Sequence, residues 1–395
     1  MRHATDNGKV VIYLEGSIDT KNAGDVEAEI SSVVDECEAS SAELDATSLD
    51  YISSAGLRVV MRLLKRLGDV SVTGANCEVY DVFEMTGFTE LMSVRRALRS
   101  VSVEGCPAIG SGATATVYRL DPETIVKVYN ENVFMSMIEH DHARSRAAFL
   151  SGIPTAIPFE TVRVGDRFGT VFELLDARDL VDVMADDREH LEAWVRSFAC
   201  EMRRLHQVEV DPDDFEDAKA RSIRLLPSLE GVVCTHEEVE RLQGMYEVIP
   251  DRATFLHGDC HPGNIMVQGD EFVLIDLSSS GMGHPIFDLM SMGIMYKLPL
   301  MSGREGYATK RKSLEPVRPF DFDEATLIWN TFLAAYFDTD DEEFLAKVGR
   351  QVLAYATLRL LFVAIAMPGY MPSERLEALK QIPLAYSEHL EPLCF

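Results

Sequence analysis

One segment constrains the chain more than any other. Phe255-Leu256-His257-Gly258-Asp259-Cys260-His261-Pro262-Gly263-Asn264-Ile265-Met266 leads, after a short turn, into Phe272-Val273-Leu274-Ile275-Asp276-Leu277. An apolar pair enters a loop crowded with polar side chains, and a hydrophobic strand then carries a carboxylate out at its end. Asp259, Asn264 five residues later and Asp276 twelve residues beyond form a set of oxygen-bearing groups in fixed order. Such a set suits phosphoryl transfer, which needs a carboxylate to receive or orient a hydroxyl proton and oxygen ligands to hold Mg²⁺ on nucleotide phosphates. His257, Cys260 and His261 offer a rival reading as zinc ligands. No fourth ligand stands at a recognisable spacing and Pro262-Gly263 is a turn, so the metal expected here is Mg²⁺.

Two upstream features share the theme. Ile109 to Tyr118 is a Gly-rich turn between strands, where Gly110 and Gly112 let backbone N–H groups approach phosphate oxygens without a side chain in the way. Nine residues after Tyr118, Lys127 lies in the β-branched run TIVKVY and can neutralise those phosphates. Glycine loop, lysine, Asp259, Asn264 and Asp276 follow one another in the order of a kinase-type site.

The rest of the chain bounds the setting. Its 395 residues give a prior of roughly two or three domains. With 37 Lys+Arg against 65 Asp+Glu, the net charge of −28 argues against sequence-independent nucleic-acid binding and against charge-driven docking on anionic membrane. It leaves room for an anionic ligand in a local positive cleft. Seven scattered cysteines with no CxxC pair read as a reduced, intracellular protein. The apolar run at the N-terminus is too short for a signal-peptide core. The most apolar helical stretch, Val352 to Met367, carries Arg359 near its middle and falls short of the about 20 residues needed to span. A soluble, cytoplasmic protein is expected.

The first hundred residues alternate short β-branched runs with helical spacing. Lys9 to Leu14, Ala42 to Ala46 and Val70 to Val72 read as strands. Lys21 to Val34, the amphipathic stretch opened by Ser53-Ser54 and stopped by Gly68, and Glu78 to Met85 read as helices. Past Val101 to Gly105 the texture changes. A hairpin through Asp121-Pro122, a helix from Phe134 to Leu150, strands to about Leu174 and then mostly helical sequence follow. The expected domains are 1–102 and 103–395, the second split into lobes near 175.

These motifs resemble known families. HGDCHPGNIM is close to the HGDxHPGN signature of the aminoglycoside phosphotransferase and choline kinase-like branch of the protein-kinase fold, and LIDLSSSGMGHPIFDL resembles its metal-aspartate segment. The resemblance implies a bilobal α+β domain in which Gly110, Gly112 and Lys127 meet phosphates. It makes Asp259 the catalytic base and Asn264 and Asp276 the magnesium ligands, with Asp288 structural. Glu139, or a neighbour in His140-Asp141, becomes the lysine's acidic partner. The hinge from Glu173 through Leu175 to Asp176 meets adenine, so ATP and Mg²⁺ are the implied cofactors. His206 and His257 read as structural residues around the catalytic loop. Ala115 stands where a kinase loop often has glycine, and Leu277-Ser278 stand where a protein kinase has Phe-Gly. Earlier, LEGSIDTKNA, ELDATSLDYISSAGLRVV and VFEMTGFTELMSV resemble the STAS domain of sulfate transporters and anti-sigma factor antagonists, an α/β fold. There Ser54 matches a position phosphorylated by a partner kinase. Ser54 as a helix N-cap is the alternative.

Together these imply an ATP- and Mg²⁺-dependent phosphotransferase acting on a small-molecule hydroxyl, with a regulatory or docking STAS-like module. Two alternatives stand beside it. One is a protein kinase acting on Ser54 or a partner; no APE-like motif follows Asp276. The other is a non-catalytic interaction protein, although Lys127, Asp259, Asn264 and Asp276 are all present. The region beyond Tyr296 is expected to form the acceptor pocket. Its acidic runs, Asp321 to Glu324 and Asp338 to Glu343, suit either a cationic acceptor or solvated helix ends.

Overall fold

Alternating burial turns the β-branched runs of the first hundred residues into a sheet. In the computed structural model, which describes residues 1–6, 9–112, 114–269, 271–301, 320–367 and 371–395, the chain divides into Met1–Ser100 and Val101–Phe395. The first unit holds strands β1 (His3–Asp6), β2 (Lys9–Ile18), β3 (Ser41–Ile52), β4 (Val70–Ala75) and β5 (Ser93–Arg96), hydrogen-bonded in that order. β1 runs antiparallel to β2, and the remaining pairs are parallel. Parallel neighbours need crossovers, supplied by helices α1 (Ala23–Glu36), α2 (Ser54–Leu67), α3 (Cys77–Met85) and α4 (Phe88–Leu91). Val10, Ile12 and Leu14 on β2 are buried together with Leu57, Val60 and Leu63 of α2.

The start of α2 is dictated sterically and by its cap. A Cβ on Gly56 would lie 2.7 Å from Ile52 Cγ1 and 2.8 Å from Ile18 Cγ2, so only glycine lets the helix approach the sheet here. Ser53 Oγ accepts from the N–H groups of Ala55 (3.2 Å) and Gly56 (3.4 Å). Ser53 is therefore the N-cap, and Ser54 is the first helical residue, exposed.

The second unit opens with β6 (Ala108–Ser111), β7 (Ala115–Arg119), β8 (Thr124–Tyr129), β9 (Pro158–Val164) and β10 (Arg167–Glu173). They form an antiparallel sheet in the order β6-β7-β8-β10-β9. Asp121 Oδ1 accepts from Glu123 N and Thr124 N, which closes the β7–β8 turn. Helix α5 (Met135–Leu150) connects β8 to β9. Short strands follow: β11 (Arg178–Asp179), β12 (Phe255–Leu256), β13 (Ile265–Gln268), β14 (Glu271–Leu274) and β15 (Gly281–Met282). β11, β13 and β14 form one small sheet, and β12 pairs with β15. Around them stand α6 (Leu180–Asp186), α7 (Leu191–Leu205), α8 (Ala218–Leu225), α9 (His236–Glu247), α10 (Ile286–Met292), α11 (Leu298–Met301), α12 (Phe322–Phe337), α13 (Glu342–Ala366) and α14 (Ser373–Ser387). Phe198, Phe255, Phe332 and Tyr355 lie in one apolar core that α7, α12 and α13 share.

One expectation changes here. The apolar stretch read as Val352 to Met367 belongs to a 25-residue helix, α13. By length and composition it can cross a membrane, but 67% of its apolar window is buried within this fold. The acidic runs lie at helix ends, the second of their two readings, and three of their side chains make cap bonds. Asp321 and Glu324 form a capping box on α12, and Asp341 Oδ1 accepts from Glu343 N and Phe344 N at the start of α13. Residues 302–319, part of the expected acceptor region, lie outside the described residues.

Candidate active site

Strand geometry sets the first half of the site. Val126 and Val128 point into the N-terminal core of this unit, so Lys127 and Tyr129 share the opposite face of β8. Both reach one acid on α5. Lys127 Nζ donates to Asp141 Oδ2 at 2.9 Å, and Tyr129 OH donates to the same oxygen at 2.6 Å. Lys127 Nζ also donates to Asp276 Oδ1 at 3.0 Å. Burial alone would lower the lysine's pKa, but the charges of Asp276 and Asp141 outweigh it and hold the group well above its ordinary value. The partner is thus Asp141, not Glu139. Two residues are roughly 200° of helix rotation, so only one of the two acids can share the buried face of α5 with Ile138, Arg144 and Ser145.

Nearby, the Gly-rich turn is closed by backbone bonds. Gly112 N donates to Ala115 O at 2.9 Å and Asn130 N to Thr114 O at 2.8 Å. A Cβ on Gly112 would meet nothing nearer than 3.8 Å, so the protein's own packing does not demand glycine there. Gly110 is buried in β6, and residue 113 lies outside the described residues. At the end of β10, Glu173 N donates to Ile157 O and Leu174 N to Glu123 O. Leu175, half-buried, comes next.

A buried carboxylate organises the polar loop. Asp288, at the start of α10, accepts from His257 N (2.8 Å) and Gly258 N (2.6 Å) and sits 3.0 Å from His206 Nε2. Gly258 has φ +78°, and a Cβ on it would lie 1.9 Å from Ser279 O, so the loop admits no side chain at this point. His257 donates from Nε2 to Ile275 O (3.1 Å) and accepts at Nδ1 from Asp259 N (3.3 Å). Burial lowers its pKa and keeps the ring neutral, as that bonding pattern requires. Asn264 Nδ2 donates to Asp259 O (2.8 Å) and to Asp259 Oδ2 (3.2 Å). Ile275 N donates to Asn264 O (3.0 Å), which sets Asp276 beside Asn264. Asp276 itself adopts left-handed backbone geometry, φ 63°, a costly conformation that recurs where function requires it. The structure thus gathers Lys127, Asp259, Asn264 and Asp276. The three residues of the zinc reading do not converge. Cys260 Sγ lies 3.2 Å from Met202 Sδ, while His261 Nδ1 accepts from Gly263 N.

The sequence matches the profile described as the phosphotransferase enzyme family over residues 105–325. The chain belongs to that family. Residues 2–101 match the STAS domain. BtrV of Bordetella bronchiseptica, a candidate anti-sigma factor antagonist, is 40% identical over 92 residues, which cover 22% of this chain and 78% of BtrV. Among solved structures, a choline/ethanolamine kinase family protein from Mesorhizobium loti aligns with a TM-score of 0.45 at 14% identity, covering 72% of this chain and 88% of that one. The ternary complex of APH(2'')-IIa with streptomycin and ATP aligns at 0.44 and 16% identity, covering 72% and 92%.

In this phosphotransferase, sequence reasoning overlooked one charged contact to the polar loop. Arg359, on α13, donates from Nη2 to Asp259 Oδ1 at 3.0 Å and from Nη1 to Ser291 Oγ at 3.0 Å. Burial raises the Asp259 pKa, but His261 and Arg359 outweigh it and hold the carboxyl well below its ordinary range. The available signal was the single charged residue of the apolar stretch Val352 to Met367, which requires a partner when the helix is buried.

Proposed function

We propose that residues 101–395 transfer the γ-phosphate of ATP, in the presence of Mg²⁺, to a hydroxyl of a small molecule, under regulation by the STAS domain or by a protein docked on it. The observation that carries this reading is the joining of two halves. The Lys127–Asp276 ion pair (3.0 Å) and the Asp259–Asn264 contact (3.2 Å) place a cation, a hydroxyl-orienting carboxylate and two metal-capable oxygens side by side.

The residues fit a hard cation. Asn264 Oδ1 is buried with no hydrogen-bond partner, because Nδ2 takes both bonds to Asp259. An orphaned buried oxygen beside a carboxylate is a ligand pair suited to Mg²⁺. Asn264 Oδ1 and Asp276 would hold it, and when bound it supplies charge neutralisation on the nucleotide phosphates. Lys127 keeps its proton and faces the same phosphates, while Gly110 and Gly112 let them approach the turn with no side chain in the way; the Gly112 N–H is itself bonded to Ala115 O. Leu175 backbone is the nearest hinge group for adenine, since the N–H groups of Glu173 and Leu174 are already spent. Asp259, held ionised, accepts a hydrogen bond from the acceptor hydroxyl and aims its oxygen. With so low a pKa it takes the proton late, as the new bond to phosphorus forms.

All seven cysteines are free thiols, which supports a reducing, cytoplasmic setting. The test is Asp259→Asn, assayed by ADP release with MgATP over a panel of small alcohols. Turnover falls by about 10²–10⁴ if the carboxylate orients the hydroxyl; unchanged turnover refutes the assignment. One observation favours a second acceptor. Ser54 is exposed and not needed as a cap, so its hydroxyl is open to phosphorylation by this or a partner kinase. Mass spectrometry after incubation with MgATP decides that reading.

A further inference from the structure

We infer that the acceptor is an anion, a small alcohol that also bears a carboxylate or phosphate group, held by Arg359 and Arg221; the inference rests on the phosphotransfer reading above. Four guanidinium groups stand around the segments that carry Asp259 and follow Asp276, with too few carboxylates to match them. Arg144 donates to Ser278 O (2.8 Å) and to Glu216 Oε2 (3.2 Å). Arg221 donates to Ser279 O (3.3 Å) and lies 3.9 Å from the same Glu216 oxygen. Arg224 pairs with the other Glu216 oxygen. One carboxylate thus serves three cations. The fourth, Arg359, leans on Asp259, whose negative charge the incoming hydroxyl needs.

Three of the four reach solvent. The side chains of Arg359, Arg221 and Arg224 are 24%, 30% and 62% exposed, whereas Arg144 is sealed in. Arg224 is the outermost and is bound to Glu216, which leaves Arg359 and Arg221 as the partly buried pair. Burial lowers the Arg221 pKa, Glu216 and Asp288 oppose it, and the charges of Arg144 and Arg359 push down with burial, so these cations feel one another. Partly buried like charges are costly until an anion joins them. Guanidinium forks match carboxylate and phosphate oxygens in paired bonds. The nucleotide phosphates have their own cation in Lys127. Arg359 stands on the hydroxyl side, against Asp259. A cationic acceptor would meet Arg359 as a like charge, and Asp321, Glu324 and Asp341 of the acidic runs are engaged in helix caps.

The test is calorimetric titration of the full chain, preloaded with Mg²⁺ and a non-hydrolysable ATP analogue. The probes are glycerol 3-phosphate and malate as anionic alcohols, glycerol as a neutral one, and ethanolamine and neomycin as cationic ones. The anions bind at least tenfold tighter than the others, and Arg359→Met and Arg221→Met each weaken them about tenfold to a hundredfold. Arg359→Lys, which keeps the charge and loses the fork, falls between and serves where the Met variant does not fold. Cations binding as tightly as anions, no anion binding at millimolar concentration, or variants that bind anions like the parent would each overturn the inference. Failure of the ATP analogue to bind refutes the phosphotransfer reading instead, so the two failures are separable.

Discussion

Replacing Asp288 by Asn asks whether one buried carboxylate holds the loop that presents Asp259. Asp288 is 1% exposed. Its Oδ2 takes His257 N and His206 Nε2, and its Oδ1 takes Gly258 N. An asparagine that keeps its oxygen at the first position turns an NH₂ toward Gly258 N–H; flipped, it turns the NH₂ toward His257 and His206. Either way a buried donor faces a donor. One charge-assisted bond is lost, about 1.5–3 kcal/mol, and one donor goes unsatisfied, about 1–3 kcal/mol. Removing one partner of a buried charge pair costs about 3–5 kcal/mol, and the two figures agree. Both tryptophans, Trp194 and Trp329, lie in the second unit, so urea unfolding followed by tryptophan fluorescence reports on that unit alone. Turnover falls as well, because the bonds lost are those to His257 and Gly258. The pH dependence carries a sign. Burial raises the Asp288 pKa, but the hydrogen bond and charge of His206 and the charge of His257 outweigh it, and the net shift is downward. Its contribution is therefore full above the unfolded value of about 3.9 and disappears as pH falls through the lower folded value, so parent and variant converge in acid. A stability loss under about 1 kcal/mol with turnover intact would refute the reasoning.

His284 provides a second pH test. It is 1% exposed, and burial pushes its pKa down to about 4 against the lift of its bond to the Phe395 main-chain oxygen. A histidine buried neutral stabilises fully above its unfolded pKa of about 6.5, and that stability drains as pH falls toward 4, by about 3 kcal/mol. His284→Gln flattens the slope of urea midpoint against pH across that window, and parallel slopes for variant and parent would contradict the burial argument. In the STAS domain, Ser53→Ala removes the cap of α2 at about 1 kcal/mol, whereas Ser54→Ala stays within about 0.5 kcal/mol. Amide exchange of the peptide covering Ala55 to Leu57 speeds in the first variant only; equal acceleration in both would move the cap to Ser54.

Local pattern made much of this molecule legible, and the exceptions have physical causes. The strand read over Lys9 to Leu14 announced itself because one face is buried and the apolar residues alternate, and the structure carries it on to Ile18. The edge strands His3–Asp6 and Ser93–Arg96 did not, since mostly polar segments at a sheet edge carry no such period. Spacing along one loop was enough to join Asp259 to Asn264. It was not enough to choose Asp141 over Glu139. The buried face of α5 includes Asp141, Arg144 and Ser145, so its apolar residues set no helical phase.

Arg359 marks the deeper limit. Its partner lies 100 residues earlier in the chain, and no local rule reaches that far. What the sequence does contain is a contradiction, a permanent cation near the middle of the apolar stretch Val352 to Met367. A membrane span would expel it and a packed core would demand a carboxylate. Among 65 acidic residues, only the tertiary fold says which one. That it is Asp259 changes the meaning of the charge. A net charge of −28 describes the whole chain, yet Asp259, the proposed hydroxyl-orienting group, is held by the Arg359 guanidinium, while Arg144, Arg221 and Arg224 gather on Glu216. Field lines in a cleft follow the nearest charges. If the acceptor is the anion inferred above, its recognition should weaken steeply with added salt, while nucleotide binding through the proposed Mg²⁺ and Lys127 weakens less.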